Sequence, residues 1–430
     1  MSDARRYVYT VRSQLCTHTA LHCAAYRPAQ CTLFVLHQGH LPACIGNTVS
    51  GRNSPSETDA YGSPAFPAAF YAAAGDTAAR TLKDLYLTLQ VLFNLDKYFI
   101  YSVALQLKRK DLLYQNMETF KAPFKGRSLI NWTGWTPSEI ETLLDLAFQV
   151  KAESHRGEIH QRFVGKTIAL IFEKRSTRTR SSFETAFGEE GGHPVFMSTA
   201  DIQLGGKESV QDTARVLGRM FNAIEFRGFK QEHVEQLAEY SGVPVINGLT
   251  DTYHPTQVLA DLMTLKENFE TLKGLNLCFC GDGRNNVARS LMIVCSKLGI
   301  NFSVYSPKEL SPAKDILDIC APFAASSGAK ITINSEKSVV KGADCLYTDV
   351  WVSMGEEALK EERIKLLSPF QVNKELMKAT GKDTTIFMHC LPAVKGQEVT
   401  EDVIEGSASR VWDEAENRKH TIKAIMLGII

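Results

Sequence analysis

The chain has 430 residues, of which 44% are hydrophobic and 22% charged, close to the usage of ordinary globular proteins. Basic and acidic residues number 48 each, so the net charge is zero, which argues against a protein that binds nucleic acid along its whole length. No apolar run reaches the ~18–20 residues that a membrane-spanning helix needs. These figures exclude a wholly disordered, collagen-like or coiled-coil protein and predict two or three domains.

Residues 1–116 show no sustained hydrophobic period, and we predict that they form an atypical, poorly ordered N-terminal extension. Four cysteines and four histidines fall within residues 16–44, but their irregular spacing contains no C-x2-C pair, so zinc binding is disfavoured. The first 30 residues carry Arg5, Arg6, Arg12 and Arg27 with Asp3 as the only acid, which weakly resembles a transit peptide. We therefore expect a cytoplasmic protein, with organelle import left open.

Patterned sequence begins at Met117. Thr136, Pro137 and Glu139 form the start signal of a helix, as N-cap, first residue and capping-box partner. Strand-like apolar runs without polar alternation then alternate with helix-like runs, which is typical of parallel sheets covered on both faces. The runs are Thr167–Phe172, Ala223–Phe226, Val243–Ile246, Asn276–Cys280, Asn301–Tyr305, Lys330–Ile333, Cys345–Tyr347 and Thr385–His389. The fold class predicted is α/β, with two doubly wound parallel-sheet domains.

An anion-binding turn follows the first strong strand. Ser176, Thr177, Arg178, Thr179 and Arg180 connect this strand to a helix. Such a turn directs free backbone N–H groups and the positive end of a helix dipole at a ligand. The hydroxyls and the arginine forks add donors that suit phosphate or carboxylate. A solvated basic turn is the alternative, and no nucleotide-binding lysine motif is present.

Further polar residues follow later strands. Arg227 comes after one strand, and His254 and Gln257 follow the next, where Thr256 and Gln257 open a helix. Because the carboxyl ends of parallel strands meet at one sheet edge, these side chains are expected to share a ligand site.

The second half of the chain carries different chemistry. Gly281–Asn286 lacks the third glycine of a dinucleotide fingerprint, so NAD binding is disfavoured and Asn286 is left to hold a carboxylate. Asp349, followed by Ser353 and Met354, offers groups that suit the zwitterionic end of an amino acid, although an N-cap role for Asp349 is the alternative. Cys390 ends another strand without the spacing of a nucleophilic triad.

In this order, these motifs resemble the aspartate/ornithine carbamoyltransferase family over residues 119–430. The resemblance rests on Ser176–Arg180, His254–Gln257, Asp349 with Ser353-Met354-Gly355, His389–Pro392 and Arg418. It implies a carbamoyl-phosphate-binding domain at 117–255, an ornithine-binding domain at 256–405 and a helix at 406–430 that packs back on the first domain. The resemblance also implies an active-site cleft between the two domains. Residues 1–116 have no counterpart in the family.

Within the family, the aspartate and Ser-Met-Gly element points to the ornithine-specific members, which convert carbamoyl phosphate and L-ornithine to L-citrulline and phosphate. The implied catalytic residues are Arg178, His254, Asp349 and Cys390. The carbamoyl-phosphate contacts implied are Ser176, Thr177, Arg178, Thr179, Gln203, Arg227, His254, Gln257, Cys390, Leu391 and Arg418. The ornithine contacts implied are Asn286, Asp349, Ser353 and Met354.

The family resemblance also implies a homotrimer or a multiple of trimers, in which Gln203 reaches the site of a neighbouring subunit. No metal or organic cofactor, nucleic acid or membrane is implied as a partner. Two alternatives stay open: a sibling carbamoyltransferase acting on another amine, and a catalytically silent regulatory or scaffold protein of the same fold.

Overall fold

The computed structural model describes residues 121–202, 204, 207–352 and 357–430, which all belong to one compact unit. The extension at 1–116 and the predicted site residues Gln203, Ser353 and Met354 lie outside the described residues. Within the described residues, no helix is both long enough and apolar enough to cross a membrane.

The first half of the described chain builds a parallel sheet of four strands in the order β2-β1-β3-β4. These strands are β1 (Thr167–Phe172), β2 (His193–Ser198), β3 (Ala223–Arg227) and β4 (Val245–Leu249). The helices of this half are α1 (Pro137–His155), α2 (Arg178–Glu189), α3 (Val210–Met220), α4 (Gln231–Tyr240) and α5 (Pro255–Asn268).

The second half builds a parallel sheet of five strands in the order β7-β6-β5-β8-β9. These strands are β5 (Asn276–Cys280), β6 (Asn301–Tyr305), β7 (Ile331–Asn334), β8 (Cys345–Thr348) and β9 (Ile386–His389). The helices are α6 (Asn286–Leu298), α7 (Lys314–Ser327), α8 (Lys360–Leu367), α9 (Lys374–Ala379), α10 (Glu401–Ile404) and α11 (Val411–Ile429). Short 3₁₀ turns occupy Lys308–Leu310, Lys337–Val340, Glu357–Leu359 and Ser368–Phe370.

Burial explains why most strands can be located in the sequence. In β1 the last five residues are buried, and every residue of β8 and β9 is buried, so these strands have no polar face. Three of the eight predicted runs coincide with strands, and the bounds of the other five differ by one to three residues. Strand β2 is absent from the predicted runs, because this edge strand of partly buried residues contains Pro194 and presents no continuous apolar run.

The capping box of α1 is confirmed. Thr136 Oγ1 accepts a hydrogen bond from the backbone N–H of Glu139 at 3.3 Å, and the Glu139 carboxylate accepts one from the Thr136 N–H at 2.8 Å. The apolar stripe of α1 is buried, with Ile140, Leu143 and Leu144 fully covered. This stripe fixes α1 against α11.

The return of the C-terminal helix is also confirmed, since α11 packs against α5, α1 and α2 of the first half. The helix begins at Val411 and has almost all of its later residues buried. This placement brings side chains from the end of the chain to the first sheet. Residue 256, the predicted domain boundary, lies in the first turn of α5, so the boundary remains a prediction.

Candidate active site

The predicted site residues sit where strands of both sheets end. The turn at 176–179 follows β1, Arg227 is the last residue of β3, and His254 caps α5 after β4. Asp349 and Cys390 follow β8 and β9. Open parallel sheets place ligand sites beyond the carboxyl ends of their strands, and this site follows that rule.

The turn after β1 is shaped by a hydroxyl. Ser176 Oγ accepts a hydrogen bond from the backbone N–H of Thr179 at 3.1 Å, whereas the side chain of Thr177 makes no capping bond. Helix α2 begins at Arg178, so its first N–H groups and its positive dipole end lie at this turn. The local sequence therefore builds the strand-to-helix turn that it predicts, and the binding of an anion there stays a prediction.

Arginine side chains from distant parts of the chain converge on Thr179. Its Oγ1 accepts hydrogen bonds from Arg227 at 3.3 Å and from Arg418 at 3.1 Å, and all three residues are buried. The Nε atoms of Arg227 and Arg418 are buried without a hydrogen-bond partner in the described structure. We call Arg178, Arg227 and Arg418 the arginine cluster.

The arginine cluster stays positively charged at neutral pH. Burial and the neighbouring guanidinium of Arg418 lower the pKa of Arg227 to about 10. Burial and Arg178 lower the pKa of Arg418 to about 10, against the attraction of Asp261. Burial also lowers the pKa of Arg178, which has no hydrogen-bond or ion-pair partner among the described residues. Two buried guanidinium groups and the half-buried one of Arg178 repel one another, so a dianionic ligand would bind here strongly.

His254 stands beside the cluster as a neutral imidazole. It is 4% exposed, and its backbone N–H donates to Ser290 Oγ at 2.9 Å. Burial first, and then the charges of Arg418, Arg227 and Arg178, lower its pKa well below the usual value. A neutral imidazole carries one N–H donor, which suits it to polarise a carbonyl without giving up a proton.

Gln257 connects the arginine cluster to a buried pair of carboxyl groups, those of Asp261 and Glu414. Gln257 Oε1 accepts from Arg418, and Gln257 Nε2 donates to Asp261 and to Glu414, each at 2.8 Å. Tyr347 donates its hydroxyl to Glu414 at 3.0 Å. Burial raises the pKa of Asp261 to about 7, and burial and Asp261 raise the pKa of Glu414 well above its usual value. The pair therefore retains a proton at neutral pH.

Asp349 is bound on both carboxylate oxygens. Its Oδ1 accepts from the Cys390 thiol at 3.1 Å and from the Val350 N–H at 2.8 Å. Its Oδ2 accepts from the side-chain amide of Asn285 at 2.9 Å. Burial and Asp349 raise the pKa of the Cys390 thiol well above its usual value. Cys390 is thus a protonated donor here, and not a thiolate nucleophile.

The turn after β9 connects the buried carboxyl pair with the Asp349–Cys390 pair. Glu414 accepts from the backbone N–H of His389 at 3.0 Å, and His389 Nδ1 accepts from the N–H of Leu391 at 2.8 Å. Leu391 has a φ of 58°, in the left-handed region that side chains rarely adopt. These contacts hold the strained turn that carries Cys390.

Two polar residues beside the site have contacts that the sequence does not predict. Arg180 lies over the Phe196 ring, 3.6 Å from its centroid, and pairs with Glu184 at 3.0 Å, so it is apart from the cluster. Asn286 donates its side-chain amide to the Thr250 carbonyl at 2.6 Å. Its predicted role toward a carboxylate stays a prediction.

Sequence reasoning missed Asn285, Asp261 and Glu414. Asn285 is the N-cap of α6, accepting from two backbone N–H groups, and asparagine just before a helix is a signal that could have identified it. Glu414 lies one helical turn before Arg418, but its sequence context is that of a surface helix. Nothing local predicts that Asp261 and Glu414 meet.

One group of potential metal ligands lies in the site, where the ligand atoms of Asp349, His389 and Cys390 are all within 4.8 Å of one another. The hydrogen bond between Cys390 and Asp349 and the acceptor role of His389 Nδ1 already engage these atoms. The expectation of a metal-free reaction stays a prediction.

Comparison with known proteins follows the same division of the chain. Residues 127–267 match the carbamoyl-P binding domain of aspartate/ornithine carbamoyltransferase, and residues 273–429 match the Asp/Orn binding domain. An ornithine carbamoyltransferase from Caldanaerobacter subterraneus subsp. tengcongensis is 66% identical over 307 residues, covering 71% of this chain and 98% of the relative. One from Pseudothermotoga lettingae is 64% identical over 306 residues, with 71% and 98% covered.

A solved structure agrees. The ornithine carbamoyltransferase from Pyrococcus furiosus superposes with a TM-score of 0.69 at 47% identity, covering 71% of this chain and 97% of that one. The matched family domains, the sequence identities and the superposition of the structures all indicate the same family. The chain belongs to the aspartate/ornithine carbamoyltransferase family.

Proposed function

We propose that this chain is an enzyme that transfers the carbamoyl group of carbamoyl phosphate to the δ-amine of L-ornithine, giving L-citrulline and phosphate. The observation that carries the proposal is the arginine cluster: Arg227 and Arg418 bind Thr179, and the charge of Arg178 acts on His254 and interacts with the Asp349–Cys390 pair. The relatives at 64–66% identity bear the name ornithine carbamoyltransferase.

Carbamoyl phosphate is bound through its charge. The phosphate dianion accepts hydrogen bonds from the backbone N–H groups at the start of α2 and from the hydroxyls of Ser176 and Thr177. The arginine cluster neutralises its charge. The carbamoyl end then lies toward His254, Gln257, Cys390 and Leu391. Arg418 and Gln257 are held together by a direct hydrogen bond, which fixes both before the ligand enters.

The same donors stabilise the transition state. When the amine nitrogen attacks the carbonyl carbon, negative charge develops on the carbonyl oxygen. Arg178, the Thr179 hydroxyl and His254 are the donors proposed to face that oxygen. Removal of one such donor typically costs about 3–4 kcal/mol of transition-state stabilisation. Collapse of the adduct breaks the bond between carbon and the phosphate oxygen, and phosphate leaves already paired with arginine.

Ornithine is bound by residues of the second half of the chain. Asp349 and Ser353 are proposed to hold its α-amino end, with Asn286 and the Met354 backbone on its carboxylate. The free δ-ammonium has a pKa near that of lysine, ~10.4, so the site must favour the neutral amine before attack. The positive charges of the arginine cluster disfavour an ammonium ion nearby and therefore favour the neutral amine. The neutral amine nitrogen gives up one proton as the new carbon–nitrogen bond forms, and the departing phosphate can accept it.

Assembly, location and domain limits belong to the same proposal. We propose a homotrimer, or a multiple of trimers, in which Gln203 completes the site of a neighbouring subunit. A carbamoyl-phosphate-binding domain at 117–255, an ornithine-binding domain at 256–405 and a returning helix at 406–430 are proposed limits. A cytoplasmic location is supported by the six described cysteines, which are all thiols.

A citrulline assay tests the function. The purified full chain is incubated with carbamoyl phosphate and, in parallel, with ornithine, aspartate or putrescine, and the carbamoylated product and phosphate are quantified. We expect turnover with ornithine, with phosphate formed in equal amount. Turnover with aspartate or putrescine instead would assign a sibling activity. An absence of turnover with all three, in a protein that still binds carbamoyl phosphate, would show a silent member of the fold.

A further inference from the structure

A second group of ligand atoms lies on the outer face of the first half, between α1 and α11. His155 is the last residue of α1, and Glu416 and His420 are one helical turn apart on α11. Their ligand atoms all lie within 4.8 Å of one another. Neither the anion site nor the Asp349–Cys390 pair includes any of them.

The distances in this group match those of a metal site. Glu416 Oε1 lies 3.2 Å from His155 Nε2 and 3.3 Å from His420 Nε2. In a tetrahedral zinc site with metal–ligand bonds of about 2.0–2.1 Å, two ligand atoms are about 3.3 Å apart. Both nitrogen–oxygen separations therefore already fit. The remaining adjustment falls on the His155 side chain, which is 61% exposed and can rotate.

The charge states also favour a cation. Burial lowers the pKa of His420 to about 4, so its imidazole is neutral at pH 7. Burial opposes ionisation of Glu416, but hydrogen bonds with His155 and His420 bring its pKa below the usual value, so it is a carboxylate. The nearby ammonium groups have their own partners: Lys151 pairs with Glu267 at 2.7 Å and Lys419 with Glu189 at 3.2 Å.

From these observations we infer that His155, Glu416 and His420 bind one divalent transition-metal ion of the zinc, nickel and copper class. Two imidazoles and one carboxylate select this class over magnesium or calcium, which prefer oxygen ligands. The ion joins the end of α1 to α11, the helix that carries Glu414 and Arg418 into the active site. It acts as a structural clamp and takes no part in the carbamoyl transfer.

The affinity is limited by one feature. His420 Nδ1 is buried without a hydrogen-bond partner in the described structure, so it would carry its proton unpaired when Nε2 binds the metal. Sites without such outer partners typically bind about 10–100-fold more weakly than sites that have them. A proton and a metal ion compete for each imidazole nitrogen, so binding weakens as the pH falls.

The test compares four full-length proteins: the unchanged chain, His155→Gln, Glu416→Gln and the control His193→Ala. Gln at 155 keeps an amide donor toward Glu416 but removes the imidazole, and His193 is an exposed histidine on β2 outside the group. The cysteines of residues 1–116 and of the active site are present in all four. Calorimetric titration with Zn²⁺, and separately with Ni²⁺, counts the equivalents bound.

We expect the His155→Gln and Glu416→Gln proteins to bind one equivalent less than the unchanged chain and the control. In thermal unfolding, Zn²⁺ should raise the Tm of the unchanged chain and the control by about 2–4 °C more than that of the two variants. Equal stoichiometry in all four proteins would overturn the inference. So would a lost equivalent in a variant whose metal-free Tm has already fallen far below that of the control, because this would indicate a disrupted helix contact in place of a lost ligand.

Discussion

At the scale of single residues, Thr179 shows how the site is held together. Its hydroxyl is shared by Arg227 from β3 and Arg418 from α11, and its backbone N–H is fixed by Ser176. One buried hydroxyl thus positions two guanidinium groups whose charges repel. The energetic cost of that repulsion favours binding of a phosphate dianion, which relieves it.

Arg178 is the residue for which the charge and the shape of the side chain can be separated. Arg178→Lys keeps the positive charge but loses the planar fork that is proposed to reach phosphate and carbonyl oxygen together. We expect kcat to fall at least about a hundredfold, the effect of a lost transition-state donor. Steady-state citrulline formation measures it. Arg156→Lys is the matched control, because Arg156 is 57% exposed and pairs with Glu158 at the end of α1, away from the site. A kcat near that of the unchanged enzyme for Arg178→Lys would reject the assignment.

A change at Asp349 tests whether carbamoyl phosphate and ornithine are bound by separate sets of residues. Asp349→Ala removes the acceptor of Cys390 and Asn285 and the proposed partner of the ornithine α-amine. We expect ornithine turnover to be abolished, while carbamoyl phosphate still binds with nearly unchanged affinity because the arginine cluster is untouched. Calorimetry with carbamoyl phosphate and, in its presence, with ornithine separates the two. Equal loss of both ligands would show that the change disrupts the fold or that the site is assigned wrongly.

At the scale of elements, α11 joins the two halves of the site. It carries Arg418 to Thr179 and Glu414 to the N–H of His389, so the anion turn after β1 and the thiol after β9 are fixed by one helix. The helix lies at the end of the chain, yet its buried polar side chains pair mainly with residues of α5 and β8. Its placement sets the distance between the turn after β1 and the turn that carries Cys390.

The buried carboxyl pair gives the fold a predictable pH dependence. The pKa of Asp261 rises from the ordinary value of 3.8 to about 7 on folding because of burial. As the pH rises from about 4 to about 7, the unfolded chain releases this proton while the folded chain keeps it, so the free energy of unfolding falls. Asp261→Asn removes this contribution. As the pH rises across that range, we expect the free energy of unfolding of the Asp261→Asn protein to rise relative to that of the unchanged protein.

Urea midpoints at several pH values across that range measure the effect. Asp145→Asn serves as the control, because Asp145 is 72% exposed and pairs with Lys266 on the protein surface. Parallel curves for Asp261→Asn and the unchanged protein would contradict a proton retained in the folded state.

At the scale of the whole molecule, the proposed trimer predicts complementation. Arg178→Ala inactivates a site from within its own chain, whereas Gln203→Ala inactivates the site of a neighbour. Unfolding and refolding the two variants together should produce mixed rings with some sites free of both changes, and activity should return in part. Each variant refolded alone is the control. Activity no greater than that of the separate variants, or a monomer by light scattering, would reject a shared site.

The extension gives a second prediction at this scale. The family models begin at residue 127, so residues 1–116 lie outside the matched domains. A chain that starts at Met117 is expected to fold, assemble and form citrulline with kcat and KM within about twofold of the full-length protein. Stoichiometric metal on the full chain that is lost with residues 1–116 would instead support a zinc-binding extension. Loss of soluble, active enzyme after the deletion would refute the prediction.

The sequence by itself was enough to locate the strand-to-helix turn at 176–179, the capped start of α1 and eight of the nine described strands. In each case a local pattern carries the physical cause: β1 is continuously apolar because both of its faces are covered, and Thr136 and Glu139 need only each other to cap a helix. The family motifs also identified Arg418, which on local pattern alone resembles a surface charge.

The tertiary structure alone decided which side chains meet. Asn285, and not its neighbour Asn286, reaches Asp349, because the helix start directs adjacent side chains differently. Arg180 lies over the Phe196 ring and not with the arginine cluster, and β2 is a half-buried edge strand without the continuous apolar run that would reveal it in the sequence. Asp261 and Glu414 are 153 residues apart and share Gln257 only because α11 returns to α5. Burial converts these carboxylates into a pair that holds a proton, and burial is a property of the folded chain that no local sequence pattern encodes.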